Sequence, residues 1–162
     1  MPMIDLTLPQ GALDDDQKQA LVEKLVAAVR KWEGIADDPR AVATIRSFID
    51  ERPASAFACG GQAQKAPYYR IQLTVAEGVL DEERKAGLVA EVTQVILAAE
   101  GSSPDDPRNA ARIWCHIHEL PDGNWGAVGR IWRLPDMVQF SGIDPASVPG
   151  LRADSGAAPE AI

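Results

Sequence analysis

The chain has 162 residues, a formal net charge of −8 and two cysteines, Cys59 and Cys115. That length is one domain or two tightly joined halves with room for a real core. The acidic balance argues against nucleic acid or an anionic membrane surface as partner, but not against an acidic substrate held by a few local arginines. No basic segment leads into an apolar run, and no apolar stretch approaches the roughly 18 residues of a membrane span, so neither a signal peptide nor a membrane helix is expected. Cysteines in no metal or redox spacing fit a reducing, cytoplasmic compartment.

Proline stands directly behind Met1. Methionine is usually trimmed ahead of a small residue, and the mature chain would then begin with a secondary amine at the end of a strand. An α-amino group titrates at about 8 in model peptides, and burial lowers this by disfavouring the charged form. Such an amine is suited to take a proton from carbon and return it elsewhere. Met3 to Leu8 alternates, with Ile4, Leu6 and Leu8 on one face and Asp5 and Thr7 on the other, as in a half-buried strand. Asp14 with Gln17 three residues on reads as a capping box. The helix it opens runs to about Trp32 on an apolar stripe of Leu21, Leu25, Ala28 and Trp32, and Gly34 stops it. Asp37 to Arg40 is a turn, Ala43 to Glu51 a second strand, and Pro53 to Ala66 a hairpin or loop.

The same order then recurs. With Tyr69 set under Pro2, Ile4-Asp5-Leu6-Thr7-Leu8 lies over Ile71-Gln72-Leu73-Thr74-Val75, and Gly11, Leu13 and Asp14 fall on Gly78, Leu80 and Asp81. Gly34 falls on Gly101. After one inserted residue Asp38-Pro39-Arg40 matches Asp106-Pro107-Arg108, and Ile45, Ile49, Glu51 and Pro53 match Ile113, Ile117, Glu119 and Pro121. The second copy thus predicts a strand at Arg70 to Val75, a helix from Asp81 to about Ala99 and a strand at Arg112 to Glu119. A turn at Asp122 to Asn124 and a short strand at Arg130 to Arg133 follow. Boundaries are expected at 1–68, 69–140 and 141–162, the last a loosely held tail rich in Pro, Gly, Ala and Ser.

Each half is β-α-β, so its two strands are expected parallel with a right-handed crossover. The fold class is α/β (α+β): a tandem β-α-β repeat making a four-stranded sheet with both helices on one face. The other face receives Thr44, Arg46 and Phe48 from one strand and Arg112, Trp114, His116 and His118 from another. Aromatic groups at that density beside Arg and His predict an oligomer that covers the face. Cys115-His116-Ile117-His118 is not read as a metal site, because Cys115 points away from both histidines in a strand.

On the Pro2 start with Ile4 to Leu8, the helix opening at Asp14 with Gln17-Lys18, Thr44-Ile45-Arg46 before Phe48 to Glu51, Pro53, Phe57 to Gly61 and Asn124-Trp125-Gly126, the chain resembles the tautomerase superfamily. The type member is 4-oxalocrotonate tautomerase. The resemblance covers roughly residues 2 to 135 in the long, fused form. It implies that Pro2 is the acid/base or nucleophilic group, that Arg46 binds a substrate carboxylate, and that Phe57, with Trp125 as its counterpart, is the aromatic residue of the site. There are departures. Ala12 and Val79 stand where relatives carry arginines, and Val29, His116 and Ala127 stand at the first-helix histidine, second-half tyrosine and water-activating glutamate of the cis-3-chloroacrylic acid dehalogenase group. Of that set Arg130 and His116 remain as substrate-binding candidates, and dehalogenation is not expected.

The implied function is enol–keto isomerisation of a small 2-oxo or unsaturated carboxylate by a homotrimer needing no cofactor or metal. A hydratase- or dehalogenase-like lyase using the same proline, or a catalytically silent structural or ligand-binding homologue, are the alternatives.

Overall fold

The structure, a computed structural model, describes residues 1–154. The first unit consists of β1 (Met3–Pro9), α1 (Asp15–Glu33), the single-turn α2 (Pro39–Val42) and β2 (Arg46–Arg52). A small hairpin of β3 (Ala58–Cys59) and β4 (Gln62–Ala63) leads to the second unit: β5 (Tyr69–Ala76), α3 (Glu82–Glu100), α4 (Pro107–Ala110) and β6 (Ile113–Leu120). A further hairpin, β7 (Trp125–Ala127) and β8 (Arg130–Trp132), is followed by α5 (Leu134–Phe140) and α6 (Pro149–Asp154).

The four-stranded sheet has the order β2-β1-β5-β6. Strands are parallel within each unit, and β1 and β5 run antiparallel where the units meet. Alternation decides what each face carries. Ile4, Leu6, Ile71 and Leu73 point under the helices and are at most 1% exposed. They meet Leu21, Leu25 and Val29 of α1 and Leu88, Val92 and Ile96 of α3 in one core.

Local chemistry places the helices. Asp14 accepts from Gln17 N at 2.7 Å while Gln17 Oε1 accepts from Asp14 N at 2.9 Å, the reciprocal box that the sequence predicts. Asp81 caps α3 through Arg84 N at 2.9 Å. Gly34 and Gly101 end the helices at φ 75° and 73°. Between the helices Trp32 lies flat on Gly87, where a Cβ would sit 2.0 Å from the ring, and its Nε1 donates to Glu91 at 2.8 Å.

Two expectations are corrected, the start of the second strand and the loose tail, and the short strand at Arg130 is found. The strand foreseen from Ala43 begins at Arg46, because Asp38 caps a turn of helix with Pro39 at its start and Thr44 Oγ1 closes it onto Ala41 O at 2.6 Å. The strand at Arg130 to Arg133 pairs with β7 in a hairpin of its own, outside the main sheet. The stretch after Ser141, expected as a loose tail, is packed as far as Leu151: Val148 and Ser141 are fully buried and Ile143 is 5% exposed. Its composition misled because its anchors are few and its contacts need small residues. Gly150 N donates to Gly78 O at 2.9 Å, and a Cβ on Gly78 would lie 2.9 Å from Gly150 Cα. Residues 155–162 of the expected tail lie outside the described residues. No helix among the described residues is long and apolar enough to cross a membrane.

Gly78 and Gly11 occupy the same repeat position with φ of 84° and 75°, but nothing lies within 4 Å of a Cβ on Gly11. Gly11→Ala should therefore cost about 1–2 kcal/mol of left-handed strain. Gly78→Ala should cost more, through the added collision with Gly150, and denaturant unfolding of the two variants should rank them in that order.

Candidate functional site

Pro2 is buried immediately ahead of β1, and its carbonyl accepts from Arg46 N at 3.1 Å. The strand register then orders the uncovered face into rows. Arg46, Met3, Thr74 and His118 share the first row, Phe48, Asp5, Gln72 and His116 the second, and Asp50, Thr7, Arg70 and Trp114 the third. Arg46 thus starts the row next to Pro2. It is exposed and makes no ion pair among the described residues. His116 sits one row further in and at the opposite edge strand, about 14 Å from β2 at the usual strand spacing. His118 Nδ1 meets Gln72 Nε2 at 3.5 Å, and the His116 ring packs edge-on to Trp114 at 6.4 Å. Cys115 points under the helices, and burial pushes its thiol up to about 11.

The remaining candidates divide between the two ends of the sheet. Because β1 is antiparallel to β5, Pro2 shares its end with the carboxyl ends of β5 and β6 and with the hairpin that follows. Arg130 lies in that hairpin, exposed, its guanidinium 4.3 Å above the Trp132 ring. Trp125, opposite Trp132 in the hairpin, is 9% exposed and belongs to the core. Val128, at the tip, is 89% exposed with φ 53°, a strained conformation for a β-branched residue. Phe57 goes to the other end. It lines a cleft with Pro9, Gly11, Ala12 and Lys65, so the length of β1, about 20 Å, separates it from Pro2 in the same chain. Arg112, assigned to the uncovered face, is instead 9% exposed and turned back beneath the sheet edge.

Glu33 was not foreseen. It is the last residue of α1, 2% exposed, and its Oε1 makes no hydrogen bond. Burial pushes its carboxyl up to about 7, with the charge of the N-terminal amine pulling the other way. That amine belongs to Met1, which is half-buried against the core, and Pro2 nitrogen here is an amide. Burial lowers the amine's pKa and the Glu33 carboxylate partly restores it. The repeat held the clue, for Glu33 precedes Gly34 as Glu100 precedes Gly101.

In the second unit that glutamate is satisfied. Arg112 holds both oxygens of Glu100, through Nη1 at 3.1 Å and through Nη2, and also donates to Pro67 O at 2.6 Å. Burial alone would raise the Glu100 carboxyl, but Arg112 and Ser102 hold it below its ordinary value. Tyr69, which occupies the Pro2 position of this unit, makes no hydrogen bond of regular geometry, and burial beside the Glu100 carboxylate pushes its phenol up.

The sequence model of the Tautomerase family ("Tautomerase enzyme") matches residues 67–133. That match spans the second β-α-β unit and the hairpin behind it. Solved structures share the tautomerase fold, in its fused long form, over 80% to 94% of the chain. A wild-type fused 4-OT in an asymmetric trimer is 21% identical, with 80% of this chain and 94% of that chain covered at a TM-score of 0.66. A member of the cis-3-chloroacrylic acid dehalogenase family is 14% identical over 94% and 96% of the two chains, with a TM-score of 0.70. A protein inactivated by 2-oxo-3-pentynoate is 21% identical over 80% and 94%, with a TM-score of 0.66. No curated protein matches the sequence. The unit matched by the family model is the one in which tyrosine replaces the leading proline.

Glu33 makes a pH prediction for stability. Its folded pKa of about 7 lies above the ordinary 4.5, so the folded chain holds a proton that the unfolded chain releases. The group's contribution therefore declines as pH rises from about 4.5 to about 7, by at most roughly 3 kcal/mol. Glu33→Gln should flatten that decline and be more stable than the parent at pH 8, as read by thermal or denaturant unfolding across pH.

Proposed function

We propose that the chain is a cofactor-independent tautomerase that moves a proton within a small 2-oxo or enol carboxylate, with the amine of Pro2, freed by removal of Met1, as the base and acid. The observation that carries this reading is the pairing of a buried Pro2 with an unpaired Arg46 one hydrogen bond away. A secondary amine in an apolar site is neutral at physiological pH and able to accept a proton. A guanidinium with no protein carboxylate is available for a bidentate grip on a substrate carboxylate, which fixes the reacting carbon beside the amine. Arg130, at the same end of the sheet, is the second cation of the site. On the far edge strand His118 stands level with Arg46, and His116 lies one row further from that end.

Dehalogenase chemistry is not advanced, because Val29, Val79 and Ala127 offer no group to activate water or hold a second carboxylate arm. The fully apolar burial of Val29 and Val79 places them in the core instead.

Subunit assembly belongs to the same proposal. Phe57 reaches a Pro2 site only if a neighbouring copy brings it there, and Phe48 and Trp114 on the uncovered face are 55% and 64% exposed. A fold relative is described as a trimer. A homotrimer, six β-α-β units in all, would cover that face, and light scattering at micromolar concentration should give three times the chain mass; a monomer would remove Phe57 from the site.

For activity, intact mass should show loss of Met1, and simple 2-oxo acid enols should ketonise faster with the protein than in buffer. Pro2→Ala should slow turnover about 10²–10⁴-fold, the weight of a positioned base. Arg46→Ala should lower kcat/KM by about ten- to a hundredfold through binding. The reagent 2-oxo-3-pentynoate, which inactivates one fold relative, should add its mass at residue 2. Absence of turnover over a broad enol panel, or a Pro2→Ala variant equal to the parent, overturns the proposal.

A further inference from the structure

The repeat gives each unit a glutamate at the end of its long helix, and among the described residues only Glu100 has a side chain that bonds its carboxylate. Glu100 is gripped by Arg112, but the residue at the Arg112 position of the first unit is Thr44, whose hydroxyl is spent on Ala41 O at 2.6 Å. Glu33 is consequently a carboxyl that is 2% exposed and has an unbonded Oε1. A buried acid with no partner is costly and is kept where it serves a charge nearby.

Other charged groups around this end of α1 are engaged elsewhere. Arg30 pairs with Asp37 at 2.9 Å and Lys31 with Glu91 at 2.7 Å. Asp38 is bonded to Arg40 at 3.0 Å. Arg46 and His118 belong to the uncovered face of the sheet, and Glu119, on the helix side of β6, pairs with Lys85 at 2.7 Å. The segment after α5 brings Ser141 and Ile143 against residues 34 to 36; Asp136 of α5 accepts from Arg133 N at 3.3 Å and Asp144 from Ala146 N at 3.0 Å. The repeat sets Glu33 toward the start of β1, since Glu100 lies beside Tyr69, the residue at the Pro2 position, and in the first unit the charged group that acts on Glu33 is the terminal amine, borne here by Met1.

We propose that Glu33 is the positioning residue of the N-terminal amine, a buried carboxyl that titrates together with the amine and sets its affinity for the substrate's proton. Its catalytic meaning rests on the proton-transfer reading above, while its existence as a coupled pair does not. Apolar burial makes the amine a weak base, and an ionised Glu33 beside it strengthens that base and steadies the ammonium formed when it takes a proton from substrate. Burial lowers the amine's affinity for a proton and Glu33 raises it again, so the balance of the two governs how readily one group accepts and returns the proton. Two such groups titrate as a pair, in steps that belong to neither alone.

The test uses the full chain labelled with 15N-proline and 15N-methionine, so that the terminal amine is read whichever residue bears it. Its nitrogen shift is followed from pH 4 to pH 11. The parent should show two inflections. Glu33→Gln should show one, displaced downward by about one unit, or tenfold in proton affinity, the usual effect of losing an adjacent opposite charge. Glu33→Asp should restore a second inflection. The same amine titration in a folded Glu33→Gln chain as in the parent overturns the inference. Should Glu33→Gln not fold, the parent labelled with 13C at glutamate carboxyls decides. A Glu33 carbon titrating in step with the amine sustains the pair, and a single inflection in the ordinary carboxylate range removes it. Because neither readout needs turnover, a coupled pair in a chain that ketonises no enol would leave this inference standing and the proposed function fallen. Turnover with an uncoupled amine would do the reverse.

Discussion

Five residue pairs between β1 and β5, from Met3 opposite Thr74 to Thr7 opposite Arg70, join the two units, and the position of every candidate group follows from them. Each unit alone is a two-stranded parallel ribbon with one long helix, too little sheet to hold a core. Antiparallel pairing makes four strands and closes one apolar layer beneath α1 and α3. It also relates the units by an approximate two-fold axis, which sends the start of β1 and the start of β5 to opposite ends. Pro2 and Tyr69, equivalent in sequence, are therefore nowhere near each other. Pro2 shares its end with the β7–β8 hairpin and Arg130, and Phe57 is left at the end where β5 begins.

The two-fold relation invites a comparison of the copies, and they have diverged at one pocket. In the second unit a buried glutamate meets a guanidinium and a carbonyl is satisfied as well, so a charged group beneath the sheet is fully bonded. Removing one member of such a pair is expensive because the other remains buried and charged. The first unit lacks the arginine, has proline in place of the tyrosine, and retains the acid. The same geometry thus serves as a structural clamp in one half and surrounds a chain terminus in the other.

Much of this was legible in the sequence. The capping residues Asp14 and Asp81, the stop glycines and the period-two apolar runs are local signals, and the helices and inner strands follow them closely. The repeat supplied the tandem organisation, and with it the sheet and its single helical layer. What was illegible depended on contacts between distant segments. Arg112 alternates in phase with Trp114 and His116, yet it lies just ahead of β6, where the strand's alternation does not yet hold, and Glu100 captures it. The segment from Ser141 to Leu151 has few large apolar residues, but glycines at 78 and 150 let two backbones touch, and Val148 with Ile143 is enough to anchor it. Glu33 looked like any acid near the end of an amphipathic helix. Only its burial distinguishes it.

The segment after the hairpin packs against the turn that follows Glu33. Ala36 N donates to Ser141 O at 3.0 Å, a Cβ on Gly142 would stand 2.7 Å from Ala36 Cβ, and Ile143 lies against Gly34. These contacts cover the residues that follow Glu33, at the end of α1 that would otherwise meet water. A solvated Glu33 would have an ordinary acidity and little influence on an amine screened by water. The carboxyl-terminal segment is therefore more than an appendage to the repeat. On the proposal that Glu33 tunes the first nitrogen of the chain, the packing this segment gives to the end of α1 is part of that group's surroundings.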